Sequence, residues 1–165
     1  MTEQKKAQTN RRTPRHLARV FALLGLYQWF ADPTQDYASI EAHLSELVSD
    51  DSDETKGVEL DERDFEHADQ ELFKMLLSGV LARHEEITAI VAKAVDRDLK
   101  RVSMVERCVL YLGTYELMAC PETPWRVVMN ESVELAKAFG SGNRYTNAVL
   151  EGIAKTLRPA EVTQA

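Results

Sequence analysis

The sequence predicts an all-α protein, and three observations carry that prediction. Apolar residues recur three and four positions apart in seven successive segments, which is the period of an amphipathic helix. No segment shows the sustained alternation of apolar and polar residues that is typical of a half-buried strand. Glycine and proline are sparse, at 7 and 5 of 165 residues, whereas a β-sandwich needs frequent turns. We therefore expect seven helices around a packed core.

The first three helices have recognisable bounds. Thr13 and Pro14 are typical of an N-cap and a first helical residue, and they predict a helix that runs to about Phe30. The next two helices are expected over residues 36–48 and 65–81, where apolar side chains recur with helical spacing.

An acidic segment, at about residues 49–64, joins the second predicted helix to the third. Its eight carboxylates repel one another, which favours a solvated loop over a packed element. Carboxylates can also bind calcium. The segment lacks the alternating ligands, central glycine and terminal glutamate of a calcium-binding loop. We therefore interpret it as a solvated loop.

Two more helices are predicted before the next proline-rich turn. The first covers residues 85–99, where apolar positions again recur with helical spacing. Ser103 and Glu106 then form a capping box, in which each side chain is expected to satisfy a free backbone amide of the other. The helix that they open runs to about Ala119 and is apolar enough to lie at the centre of the fold.

The last two predicted helices follow that turn. Thr123 is expected to cap a helix that starts at Pro124 and runs through Phe139. Gly140 stands where a C-terminal glycine is expected, because glycine adopts the left-handed conformation that ends many helices. The final helix covers residues 143–157.

These elements define the expected organisation of the chain. Residues 1–12 are polar and charged, and we expect them to form a flexible basic arm. A single helical domain follows over residues 13–158. It is divided into residues 13–82, which include the acidic loop, and residues 83–158. Residues 159–165 are expected to form a tail.

Charge is segregated along the chain, although the whole sequence has a net charge of −7. Residues 1–30 carry a net charge of +5, residues 31–70 carry −12, and residues 71–165 are balanced. A local field, not the total charge, steers a charged ligand to its site. The negative total therefore does not exclude nucleic acid as a ligand.

Arginines at the start of the first helix are the first candidate for nucleic-acid binding. Arg12, Arg15 and Arg19 are three and four positions apart, so we expect them on one side of the helix. Arg11 extends the charge into the arm. Guanidinium groups bind phosphate oxygens bidentately. A solvated helix start explains the same residues equally well, so these residues alone leave both interpretations open.

The turn from Phe139 to Tyr145 is the second candidate. Its two aromatic rings and Arg144 suit stacking on unpaired bases together with a phosphate contact. The same residues also fit a purely structural turn, with Phe139 in the core, Gly140 after the C-cap and Asn143 as an N-cap. Without further information, the structural explanation accounts for more of the residues.

Catalytic and membrane functions are not indicated. The four histidines are scattered, phosphate-binding glycine motifs are absent, and Cys108 is expected to be a small buried hydrophobe. We therefore predict no enzyme, no cofactor and no metal site. No apolar stretch is long enough to span a bilayer, and the N-terminus lacks a signal-like apolar block, so we expect a cytoplasmic protein.

Four segments, in order, resemble the signatures of the NusB family. Residues 11–29 resemble its arginine-rich opening and its A-L-x-x-L-Y-x-W run. Residues 106–117 resemble its E-K/R-x-x-L-R-x-A-x-Y-E-L helix, and residues 124–140 resemble P-x-x-V-x-I-N-E-A-V-E-L-A-K-x-F-G. Residues 145–151 resemble F-V-N-G-V-L-D. The turn at 140–144 is shorter than is usual in the family and lacks the usual acidic residue.

The resemblance implies a seven-helix NusB-like fold of two packed helical subdomains and a role in transcription antitermination. The RNA ligand of the family is boxA, and its protein partner is the small-subunit ribosomal protein called NusE. The pair joins a complex on RNA polymerase, notably during ribosomal RNA synthesis. Carried over by position, the expected RNA-binding residues are Arg11, Arg12, Arg15, Phe139, Arg144 and Tyr145. The expected partner-binding residues are Tyr27, Glu106 and Arg107.

Two other functions stay open beside a boxA-binding antitermination factor. A helical protein–protein interaction adaptor without specific RNA recognition would offer its acidic block to a basic ribosomal protein. NusB-like domains also precede RNA cytosine methyltransferase domains, and that enzymatic interpretation requires these 165 residues to be a fragment. A homodimer is a further expectation, since some family members self-associate and an exposed apolar stripe on the first helix would allow it.

Overall fold

The computed structural model describes residues 13–49, 60 and 62–163, and these residues form nine α-helices and one 3₁₀ turn without a strand. The predicted all-α fold is confirmed. The predicted arm, with Arg11 and Arg12, and most of the acidic segment lie outside the described residues. The helices are α1 (Pro14–Ala31), α2 (Tyr37–Ser49), α3 (Glu62–His67), α4 (Gln70–Ala82), α5 (His84–Ala94), α6 (Met104–Ala119), α7 (Trp125–Ala138), α8 (Asn143–Leu157) and α9 (Pro159–Thr163), with the 3₁₀ turn at Leu99–Arg101.

Helix α1 begins where the sequence predicts, but its surroundings differ from the prediction. The Thr13 hydroxyl accepts a hydrogen bond from the His16 amide at 3.2 Å, and Pro14 is the first helical residue. Every residue from His16 to Leu26 is buried. Because α1 is enclosed by α2, α3, α4, α6 and α7, residues 16–26 offer no exposed apolar stripe for a homodimer, and the exposed large apolar side chain of α1 is Tyr27 near its end.

The third predicted helix, over residues 65–81, is two helices in the structure. Asp69 separates α3 from α4, and its carboxylate accepts a hydrogen bond from the Leu72 amide at 3.0 Å. The Asp69 amide donates to the Pro14 carbonyl at 2.9 Å, which fixes the start of α4 beside the start of α1. Aspartate competes with the helix for backbone hydrogen bonds and so caps a new helix here.

The bounds of α5 and α6 differ in one respect from the prediction. Helix α5 ends at Ala94, well before Leu99, and the 3₁₀ turn then leads into α6. At the predicted capping box, the Ser103 hydroxyl accepts from the Glu106 amide at 3.2 Å and donates to the Glu106 carboxylate at 2.9 Å. The glutamate therefore binds the serine hydroxyl, whereas the prediction paired it with the serine amide.

Helix α7 starts one residue later than predicted, and the predicted C-terminal glycine follows its C-cap residue. Pro124 is its N-cap, so Thr123 does not cap the helix, and no side chain of the cap residue bonds its first turn. At the other end, Gly140 has a φ of 69°, which an L side chain rarely adopts. The Gly140 amide donates to Lys137 and the Ser141 amide to Ala136, which completes a Schellman motif.

Residues 159–163, expected as a tail, form α9, and Arg158 anchors the end of α6 next to it. The buried Arg158 guanidinium donates to the main-chain carbonyls of Glu116, Leu117, Cys120 and Thr123. These carbonyls lie at or just beyond the C-terminus of α6, where a helix leaves acceptors without partners. Arg158 also pairs with Glu161 at 3.2 Å.

The core lies around α1 and α6. The predicted central position of α6 is confirmed, since every residue from Cys108 to Leu117 is buried. The aromatic ring of Tyr115 packs directly on Gly79 of α4, where a Cβ atom would stand only 2.1 Å from the ring. Only glycine allows that approach. None of the described helices is long and apolar enough to cross a membrane.

Candidate nucleic-acid interface

Arg15 is the described residue among the three predicted RNA-binding arginines at the start of the chain, Arg11, Arg12 and Arg15. It lies in the first turn of α1, and 55% of its side chain is exposed. Its nearest charged partner is Asp69, with 3.9 Å between Nη1 and Oδ2. An exposed pair at that distance contributes little to stability, so the guanidinium can exchange Asp69 for a phosphate. The structure therefore leaves Arg15 accessible, as the prediction requires.

Arg19 was predicted to share one side of the helix with Arg12 and Arg15 as a candidate for nucleic-acid binding, but the structure buries it. Only 3% of its side chain is exposed, because α6 and α7 cover the second turn of α1. Its Nε and Nη2 atoms donate to the two carboxylate oxygens of Glu116, at 3.1 and 2.8 Å. The Nη1 atom lies 3.6 Å from Glu131. Arg19 is committed to the protein interior and is not available to a ligand.

Glu131 of α7 brings negative charge next to the start of α1. Its Oε2 atom lies 3.9 Å from Nδ1 of the buried His16 and 3.6 Å from Arg19. His16, Arg19 and Arg15 together hold the pKa of Glu131 below its usual value. Glu131 therefore stays ionised near neutral pH, and its charge partly offsets the positive field at this end of α1.

The turn between α7 and α8 contains the second predicted group. Phe139 is the C-cap of α7 and is half-buried against the core, as the structural explanation expected. Gly142 is the N-cap of α8, so Asn143 does not have the capping role considered for it. Arg144 lies exposed in the first turn of α8, without a hydrogen bond or ion pair to any described residue. The first amides of α8 also lack a side-chain cap.

Tyr145 is held by two neighbouring residues that no sequence motif indicated, Asp96 and Arg97. Its hydroxyl donates to Asp96 Oδ1 at 3.3 Å, and the same oxygen accepts from Arg97 Nε at 2.9 Å. The Arg97 guanidinium carbon lies 4.2 Å from the centre of the tyrosine ring, a cation–π contact. Burial raises the pKa of Tyr145, and Arg97 lowers the pKa of Asp96, so the hydroxyl donates to an ionised carboxylate at neutral pH.

The predicted partner-binding residues fall into two places. Glu106 lies in the first turn of α6, bonded to the Ser103 hydroxyl. The pKa of Arg97 is raised mainly by the hydrogen bond with Asp96, and that of Tyr145 is raised mainly by burial; the charge of Glu106 adds a small contribution to both. Arg107 is mainly structural. It donates to the Leu99 carbonyl, and its guanidinium carbon lies 5.6 Å from the centre of the Phe30 ring.

Tyr27 is the remaining predicted partner residue, and it is the most exposed large hydrophobic side chain described, at 46%. It lies one turn before Phe30 on α1, so it neighbours the surface on which Arg107 packs. The structure thus places Arg107 on Phe30, one helical turn from Tyr27, whereas Glu106 lies near the predicted RNA-binding residue Tyr145.

The predicted RNA-binding residues therefore form two groups. Arg15 stands at the start of α1 with Asp69 and Glu131, whereas Tyr145 and its neighbours surround the start of α8. Among the described residues, no hydrogen bond or ion pair joins the two groups. The described residues also contain no cluster of three or more side chains suited to a metal ion. Such a surface offers guanidinium groups and an aromatic ring, which suit a single-stranded nucleic acid.

Comparison with known proteins assigns the chain to a family. The model described as "NusB family" matches residues 16–155. The chain is a member of the NusB family. It is 40% identical to the transcription antitermination protein NusB of Dechloromonas aromatica over 153 residues, which cover 92% of this chain and 84% of that protein.

Two further NusB relatives are similar over nearly their full length. The protein from Thiobacillus denitrificans is 38% identical over 153 residues, or 92% of this chain and 94% of its own. The protein from Bordetella pertussis is 39% identical over 165 residues, or 97% of each chain. Both are named transcription antitermination protein NusB. The NusB match includes Phe139, Arg144 and Tyr145 but begins one residue after Arg15.

Proposed function

We propose that this protein is a transcription antitermination factor that binds a boxA-type RNA together with a NusE-type small-subunit ribosomal protein. In this role it supports ribosomal RNA synthesis as part of a complex on RNA polymerase. The observation that carries the proposal is the NusB match over residues 16–155, together with relatives named for transcription antitermination. The NusB family is not a family of enzymes and indicates no catalytic function.

The RNA site proposed here has two parts. Tyr145 supplies a half-buried ring for base stacking, and the exposed Arg144 stands one residue before it. The uncapped amides of α8 point out of the helix start, where a phosphate oxygen is favoured. Arg15 supplies a second, separate cation for the backbone of the strand.

The partner contacts proposed here lie at two places, Tyr27 on α1 and Glu106 in the first turn of α6, and Arg107 packs on Phe30, one helical turn from Tyr27. An exposed aromatic ring is a common anchor in protein interfaces, and Tyr27 is exposed without an evident structural role. Glu106 provides a negative charge for a basic ribosomal protein, next to the proposed RNA site. This arrangement allows the partner and the RNA to contact the protein side by side.

A second candidate function is a protein-binding adaptor without specific RNA recognition. Two observations favour it over the expectation from sequence. The burial of Arg19 removes one cation from the predicted basic group, and Glu131 and Asp69 oppose the charge of Arg15. The two functions differ in their dependence on salt, because contacts between arginines and phosphates weaken steeply as salt rises.

Fluorescence anisotropy of a labelled boxA-type RNA and a scrambled RNA of equal length, with and without the NusE-type protein, tests the proposal. We expect a preference for the boxA-type RNA that strengthens with the partner. Equal and weak binding of both RNAs, unaffected by the partner, would contradict RNA recognition and leave the adaptor as the remaining candidate.

Variants locate the site in the same assay. Arg15→Ala and Tyr145→Leu should each weaken binding of the boxA-type RNA. Base stacking on an aromatic side chain is worth about 1–3 kcal/mol, which is roughly 5- to 150-fold in affinity for Tyr145→Leu. Arg83→Ala is the matched control. Arg83 is an exposed arginine at the start of α5, where it pairs with Glu86. A loss in Arg83→Ala as large as in Arg15→Ala would mean that only total charge matters.

A further inference from the structure

Arg97 is an exposed arginine that lies outside the four segments that resemble NusB signatures. Of its side chain, 45% is accessible, and it lies in the loop after α5, beside the start of α8. Its guanidinium covers one face of the Tyr145 ring at 4.2 Å. Arg97 therefore occupies this face of the ring, so a base cannot stack there.

One carboxylate oxygen fixes this arrangement. Asp96 Oδ1 accepts from Arg97 Nε at 2.9 Å and from the Tyr145 hydroxyl at 3.3 Å. The guanidinium is thus oriented through Nε alone. Its two Nη groups donate to no residue in the described part of the chain. Two parallel N–H donors on one guanidinium are the arrangement that binds a phosphate bidentately.

We propose that Arg97 is an RNA-binding residue that acts in two ways at once. It supports the Tyr145 ring from one face, and it donates its free Nη groups to a backbone phosphate of the strand whose base stacks on the other face. This inference rests on the proposed function, and it extends the RNA site from α8 to the loop between α5 and α6.

The ion pair with Asp96 does not oppose this role. Asp96 is adjacent in sequence and its side chain is 73% exposed, so the pair contributes little stability of its own. It serves to aim the guanidinium. Glu106, whose charge reaches both Arg97 and Tyr145, limits the net positive field at this place. The site therefore favours a strand that also stacks on the ring over a polyanion that offers charge alone.

The test measures the affinity of the boxA-type RNA as a function of salt concentration for wild type, Arg97→Ala, Arg97→Lys and the matched control Arg83→Ala. We expect Arg97→Ala to weaken binding about tenfold and to reduce the slope of log affinity against log salt by about 0.7, the value for one phosphate contact of a single strand. Arg97→Lys keeps the charge but loses the planar stack and the fork. It should retain the slope and lose part of the affinity.

A double-mutant cycle separates the two roles of Arg97. In the Tyr145→Leu background, Arg97→Ala should cost less affinity than it does in wild type, because the supported ring is already gone. It should still reduce the salt slope, because the phosphate contact remains. Equal losses in both backgrounds would overturn the support of the ring. A salt slope unchanged by Arg97→Ala would overturn the phosphate contact.

Wild type serves as the internal reference for the proposed function. If wild type prefers the boxA-type RNA while Arg97→Ala binds it with the same affinity and slope, the Arg97 inference fails and the function stands. If wild type binds the boxA-type and scrambled RNAs equally and weakly, both fail. Thermal unfolding should give the same midpoint for wild type and both Arg97 variants, because the side chain is exposed.

Discussion

Two arginine–carboxylate networks in this protein have similar hydrogen bonds and different surroundings. In the buried network, Arg19 Nε donates to Glu116 at 3.1 Å between α1 and α6. In the exposed network, Arg97 Nε donates to Asp96 at 2.9 Å beside α8. The side chain of Arg19 is 3% exposed and that of Arg97 is 45% exposed.

Because residue type and hydrogen-bond geometry are similar in the two networks, burial is what decides which arginine is accessible to a ligand. A buried guanidinium cannot exchange its carboxylate for a ligand, and loss of either partner leaves an uncompensated charge inside the protein. An exposed guanidinium adds little stability and keeps donors for a phosphate. The buried network should therefore control folding and the exposed network should control RNA binding.

The largest effect that tests this comparison is expected for Arg19→Ala. The substitution leaves Glu116 buried without its partner, and we expect a loss of about 3–5 kcal/mol in the free energy of unfolding. Urea unfolding followed by circular dichroism measures it. The double variant Arg19→Met with Glu116→Leu removes both charges and should recover much of the loss. A loss under about 1 kcal/mol for Arg19→Ala would contradict the claim that the buried network controls folding.

Arg158 sharpens the comparison because it is buried among carbonyls of the main chain. In Arg158→Ala, four carbonyl acceptors at the end of α6 lose a charged donor, and we expect a loss of about 2–3 kcal/mol. Glu161→Gln is the control. It removes only a partly exposed ion pair and keeps an oxygen for the Trp125 amide, so it should cost less than about 1 kcal/mol. Equal losses in urea unfolding for the two variants would assign the effect to the ion pair.

The sequence predicts the ends of the helices better than the fate of their charged side chains. Thr13, Ser103 and Gly140 act at helix ends as predicted, because capping depends on neighbours within a few residues. The prediction of a single helix over residues 65–81 was wrong at Asp69, because the apolar spacing continues across this residue although it caps a new helix. Its carboxylate, three residues before Leu72, was a usable signal.

Long-range pairing explains why part of the candidate site could not be predicted. Arg19 and Glu116 are 97 positions apart, so the helical spacing around Arg19 gives no information about the residue that pairs with it. Tyr145 was identified from its turn, but Asp96, which holds it, lies 49 positions earlier in a loop without a motif. The sequence signal for the loop was an aspartate followed by an arginine, which is common on protein surfaces.

Asp96→Asn should have an intermediate effect and tests the exposed network from its carboxylate side. Asparagine keeps an oxygen that can accept from Arg97 and Tyr145, and it removes a negative charge close to the proposed phosphate. We expect affinity for the boxA-type RNA to rise by up to about tenfold, as removal of one unfavourable charge contact allows. Asp96→Ala releases both side chains and should lower it. If both variants lower the affinity equally in fluorescence anisotropy, the proposal that Asp96 acts by orienting Arg97 and Tyr145 is contradicted.

The smallest expected effect is a pH dependence of stability that arises at the edge of the buried network. His16, Arg19 and Arg15 hold the pKa of Glu131 below its ordinary value of 4.5, and its side chain is 31% exposed. A carboxylate whose pKa is lowered by folding stabilises the protein above its unfolded pKa, and this contribution is lost as pH falls through the folded pKa.

Urea unfolding of wild type and Glu131→Gln between pH 7 and pH 3 measures this contribution. Wild type should be the more stable protein at pH 7, and the difference should shrink below about pH 4.5 as the Glu131 carboxylate becomes protonated. Asp96→Asn is the matched variant in the exposed network, where the pKa of Asp96 is also lowered. Solvent screens the exposed network, so the difference in unfolding free energy between Asp96→Asn and wild type should change less with pH. Equal pH dependence for the two variants would mean that burial does not separate the networks, and the division between a folding arginine and a binding arginine would fail.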